Sequence, residues 1–94
     1  MNTQSLTLIS NGSATGPWTT WRGGSGTFEA VGTFNGGTVR LQKLGPDGTT
    51  PIDVGTDTTL TAAGGGNFQL PPSQIRAAVT GSPSAIYAQA TSHQ

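Results

Sequence analysis

Turn-forming residues cut this chain at six places, and the segments between them are too short for an ordinary helix. The cuts are NGG at 35–37, GPDG at 45–48, GTD at 55–57, GGG at 64–66, PPS at 71–73 and GSPS at 81–84. Asn and Gly accept positive φ, and Pro presets the bend at the first corner of a turn. Seven segments of four to eight residues lie between and beside them. Within TFEAVGTF (27–34), Phe28, Ala30, Gly32 and Phe34 share one face, while Thr27, Glu29, Val31 and Thr33 share the other. That is the period of a strand with one buried face. NGG then reads as the turn of a hairpin into TVRLQKL (38–44), and GPDG as a second turn into TTPIDV (49–54). Pro51 belongs at an edge or at a strand start.

TTLTAA (58–63), NFQL (67–70), QIRAAV (74–79) and AIYAQAT (85–91) continue the series. Short strands at this spacing predict an all-β fold. The expected architecture is a compact antiparallel β-sandwich, jelly-roll or Ig-like, of about seven or eight short strands. One segment also admits a helix, capped by Ser73 with Ile75, Ala78 and Val79 on one face. Ile75, Ala77 and Val79 alternate equally well, and the strand is the expectation.

Residues 1–26 read differently. SLTLIS fits one short strand, but NGSATGPWTTWRGGSG holds five glycines and a proline in sixteen residues. The composition predicts an extended N-terminal arm over 1–26 and a β-sandwich domain over 27–94. Both tryptophans, Trp18 and Trp21, fall in this arm with Arg22 beside them. Three readings stand open. The indoles cap the end of a thin core, or they anchor an interface together with Arg22, or they form a platform for sugar rings. Trp18, Trp21 and Arg22 are therefore the candidate binding residues.

Charge narrows the partners. Only 9% of residues are charged, and four basic side chains balance four acidic ones. A nucleic-acid binder needs a basic stripe to displace phosphate counterions, and none is present. A neutral surface instead favours self-association. No run approaches the length of apolar sequence that spans a bilayer, and MNTQSLTLIS lacks the pattern of a secretory signal. The expectation is a soluble chain made in a cytoplasm, with no membrane and no nucleic-acid partner.

Catalytic chemistry finds little to work with. The one histidine, His93, reads as a tail residue, and nucleophilic catalysis needs a base beside its hydroxyl or thiol. Asp53 and Asp57 are close in sequence, but Asp at a strand-to-turn junction commonly bonds its own backbone. GGSG and GGG lack the Lys-Ser/Thr of a phosphate-binding loop and read as turns. There is no cysteine, so thiolate metal sites are excluded. The expectation is a non-enzymatic protein with no cofactor and no metal.

Three pieces of residues 23–91 carry a resemblance: TFEAVGTFNGGTVRLQKLGPDGTT, DVGTDTTLTA, and a proline-bearing turn into IRAAVTG and a final AIYAQA. Together they resemble small bacteriophage virion structural proteins of the capsid decoration, cement or head-fibre-base type. The resemblance implies a β-sandwich, commonly a homotrimer, seated on the exterior of a phage head. Its partner would be the major capsid protein, and its work would be to bridge capsid subunits after synthesis in the bacterial host cytoplasm. The alternatives are a carbohydrate-binding module using Trp18 and Trp21, and a tail or neck accessory protein of the virion.

Overall fold

The computed structural model describes residues 5–92, which form nine strands and no helix. These are β1 (Ser5–Gly12), β2 (Thr19–Trp21), β3 (Gly24–Thr33), β4 (Thr38–Leu44), β5 (Pro51–Asp53), β6 (Thr59–Leu60), β7 (Gly64–Leu70), β8 (Ser73–Thr80) and β9 (Ser84–Ser92). They make two antiparallel sheets, one ordered β1-β9-β3-β7 and the other β2-β8-β4-β5, with β6 also on β4. The all-β sandwich expected from the turn spacing is the fold.

Alternation decides what each sheet buries. In β9, Ile86, Ala88 and Ala90 are buried while Tyr87 and Gln89 are exposed. In β3, Phe28 and Ala30 point in; Glu29 and Val31 point out. Opposite them lie Trp21, Val39, Leu41, Ile75 and Ala77 from the second sheet, all fully buried. Residues 74–79 are strand because β8 is the centre of a ladder, flanked by β2 and β4. A helix there would leave β2 without a partner and β4 with one edge unpaired.

The first turn is not a hairpin. β3 and β4 lie in different sheets, because β3 is already paired on both sides, to β7 and to β9. NGG still turns the chain, with Asn35 and Gly36 at φ 51° and 78° and Gly37 N–H donating to the Phe34 carbonyl at 2.7 Å. It carries the chain from one sheet to the other. GPDG does close a hairpin: Leu44 faces Pro51, and Gly45 N–H donates to Thr50 O at 2.7 Å. Pro51 opens β5, an edge strand.

The described part of the expected arm is built into the sandwich. β1 pairs with β9 and β2 with β8, and Leu8, Ile9 and Trp21 are core residues. Between them, Gly16 N–H donates to Ala77 O at 3.0 Å, and Thr15 Oγ1 accepts from Val79 N–H at 3.0 Å. The physical reason is core size. Residues 27–94 carry few large apolar side chains, and without β1 and β2 the strands β8 and β9 would each expose an unpaired edge.

Apart from Gly23, both glycine clusters prove to be strand rather than turn. Residues 24–26 belong to β3 and residues 64–66 to β7, and the two stretches help form one unbroken ladder. Close approach requires glycine at two of these sites. A Cβ on Gly26 would lie 2.8 Å from the Trp21 ring edge and 2.7 Å from the Thr91 carbonyl. At Gly66 a Cβ would overlap the Asp57 carbonyl, because the 54–58 loop dips between the sheets there. That loop is pinned to β4 by Leu41 N–H to Thr58 O (2.9 Å) and Val54 N–H to Leu41 O (3.1 Å). It shortens the expected strand at 58–63 to the two residues of β6.

Candidate functional site

The outer face of the β2-β8-β4-β5 sheet carries a continuous set of side-chain contacts. The β2–β8 register pairs Thr20 with Gln74 and Thr19 with Ile75, which brings Trp18 alongside Arg76. The Arg76 guanidinium carbon sits 4.5 Å from the centroid of the Trp18 ring. Arg76 Nε donates to Gln42 Oε1 at 3.0 Å, and Gln42 Nε2 donates to Asp53 Oδ1 at 2.8 Å. Arg40 Nη1 completes the row on Asp53 Oδ2 at 3.1 Å. Beside it, Gln74 Nε2 donates to Thr20 Oγ1 at 2.9 Å.

Neighbouring strands thus hold one row in place, because Arg76, Gln42 and Asp53 lie directly opposite one another in register and all face outward. The stacked guanidinium is worth about 0.5–1 kcal/mol where solvent reaches it. Its larger effect is on entropy: Arg76 and Gln42 are ordered before any partner arrives, so less rotamer freedom is lost on binding. The row holds two guanidiniums and one carboxylate, so it is net positive. The terminal amines of Arg76 make no hydrogen bond among the described residues. They present two parallel donors, the geometry that matches a carboxylate or a pair of carbonyls.

Asp53 is held below the usual carboxylate range, first by the Gln42 amide, with desolvation opposing and Arg40 adding to the lowering. A folded pKa below the unfolded value of about 3.9 gives stability that is complete above that pH. The stability is lost as the pH falls through the folded value. Asp53→Asn is therefore expected to lower the melting temperature slightly at neutral pH. The gap to wild type should shrink as the pH drops below about 3.9, in thermal melts followed by circular dichroism. A gap that stays constant with pH would mean the carboxylate is not what orders the row.

The sequence-derived candidates divide. Trp18 is half-buried on this face, and Arg22 is exposed just past the end of β2. Trp21 takes the core position of the capping reading: its side chain is fully buried and packs on Phe68, ring centroids 5.0 Å apart. Strand alternation sends it inward, opposite in direction to Thr20, so the two indoles never share a surface. Arg76, Gln42, Asp53 and Arg40 were not among the candidates. Arg76 was legible as an outward position of β8, but its partners lie on strands distant in sequence. Asp53 bonds across strands rather than to its own turn. His93 lies outside the described residues. Among the described residues, no three of His, Cys, Asp and Glu come together as metal ligands.

The other sheet presents a second surface. Val31 and Tyr87 face each other in register and are each 51% exposed, beside a shallow groove of about 390 Å³. Gln89 donates to Glu29 at 3.2 Å on the same face. Comparison of the chain with protein-family models, curated proteins and solved structures finds no match.

Proposed function

We propose that the protein is a non-enzymatic structural module of a phage particle, a decoration or cement protein that docks on the capsid through the β2-β8-β4-β5 face. The observation that carries the docking surface is the pre-ordered row from Trp18 through Arg76 and Gln42 to Asp53. The phage setting rests on the resemblance of residues 23–91 to small virion proteins. A sparsely charged surface suits a protein crowded among its own copies and its shell. Many weak copies reinforce a shell through avidity without any chemistry. Trp and Arg are the residue types that most often dominate such contacts.

Binding to purified heads stripped of this chain tests the reading. Removal of a hot-spot side chain costs about 2 kcal/mol or more, roughly thirtyfold in affinity. Trp18→Ala and Arg76→Ala are each expected to weaken head binding by that order, while the melting temperature stays near that of the parent. Full binding by both variants would remove this face from the proposal. Labelling of tails or necks rather than heads in immuno-electron microscopy would move the protein to the accessory role.

A carbohydrate platform on two indoles loses Trp21 to the core, and one face of Trp18 is covered by Arg76. A saturable change in Trp18 emission with one polysaccharide, lost in Trp18→Ala, would nonetheless establish it.

A further inference from the structure

We propose that the free edge of β7 is a self-association surface, at which two copies pair antiparallel about a two-fold axis and extend the β1-β9-β3-β7 sheet across the dimer. The inference does not depend on the capsid reading, whose docking face lies on the other sheet.

A strand edge is a row of backbone donors and acceptors waiting for another strand, and soluble proteins usually blunt it with charge, proline, bulges or brevity. Among the described residues the other edges show these devices. β2 and β5 are three residues each, and β5 contains Pro51 and Asp53. β1 is broken by register shifts between Thr7 and Ile9 and between Ser10 and Gly12. The Leu8 carbonyl of β1 is also crowded by Gly16.

β7 has none of them. Its seven residues, GGGNFQL, hold no charge and no proline, and they pair with β3 from Gly64 to Leu70 without a shift. Alternate N–H and C=O groups of β7 point away from β3. Among the described residues, the backbone hydrogen bonds outside the sheet ladders involve none of β7. A groove of about 300 Å³ runs between residues 67–70 and the 54–58 loop.

The occupant is a second copy for two reasons. An antiparallel edge is complementary to itself under two-fold rotation, so the same groups serve both sides. The segment carries no charge and the chain's formal net charge is zero, so identical copies meet no repulsion. An edge that pairs with its own copy closes at two, whereas the resemblance implies a homotrimer.

The full chain has no cysteine, which makes single-cysteine variants clean reporters. Light scattering after size exclusion is expected to give twice the 9.5 kDa chain mass. Gln69 is exposed and bonds to no other described side chain, so Gln69→Lys should keep the melting temperature while raising the dimer dissociation constant at least tenfold. Asn67→Cys or Gln69→Cys should be captured as a covalent dimer by a short thiol crosslinker, and Ser13→Cys on the opposite side should not. A chain that stays monomeric at millimolar concentration overturns the proposal. So does an oligomer that ignores Gln69→Lys or crosslinks as readily through residue 13.

Discussion

Trp21→Ala is expected to bring the domain close to unfolding at room temperature. The side chain is fully buried between the sheets, and truncating a buried Trp to Ala typically costs about 3–5 kcal/mol. Small domains hold only about 5–15 kcal/mol in total. The melting temperature should fall by more than about 12 °C, at 4–8 °C per kcal/mol for a domain of this size. Trp21→Phe should be much milder. It keeps most of the ring contact with Phe68 and removes an indole N–H that is buried without a hydrogen-bond partner among the described residues. Trp18→Ala, by contrast, should hardly move the melt. Equal losses at Trp18 and Trp21 would contradict the division of the two indoles between surface and core.

Gly66→Ala is the second large effect. The new methyl would occupy the position of the Asp57 carbonyl, and a backbone atom cannot rotate aside as a flexible side chain can. Either β7 bends or the 54–58 loop leaves the seam, giving up its two bonds to Leu41. Overpacking of this kind costs about 1–3 kcal/mol and sometimes more, and the backbone obstruction puts this site at the upper end. Gly55→Ala, in the same loop, is the control. A Cβ there meets nothing within 4 Å, so the restriction of the unfolded chain should leave stability unchanged or raised by up to about 1 kcal/mol. In urea melts Gly66→Ala should fall well below wild type while Gly55→Ala stays at or above it. Equal behaviour would mean that the loop does not sit in the seam.

These two sites also mark where reading the sequence succeeds and where it stops. Phe28, Ala30, Ile75 and Ala77 were legible as inward positions, since neighbouring side chains on a strand point to opposite faces whatever the partner strand is. Trp21 was not, because a three-residue strand between glycines offers no run of alternation to read. The stretches GSG at 24–26 and GGG at 64–66 have the composition of turns. At Gly26 and Gly66 the reason for glycine is an indole edge and a carbonyl brought in from elsewhere in the chain. The candidate face shows the same split. Trp18 stood out by type, whereas Arg76, Gln42 and Asp53 gain meaning only when three strands lie side by side.

Strand period and turn chemistry act over two to four residues, so the sequence by itself determined that this chain is all-β and which side chains of its longer strands face in. Pairing is non-local. NGG turns the chain in either a hairpin or a sheet crossing, and the choice rests on whether β3 still has a free edge. Only the tertiary structure decided that both its edges were taken, that residues 5–26 complete the core, and that β7 is left with a long unprotected edge.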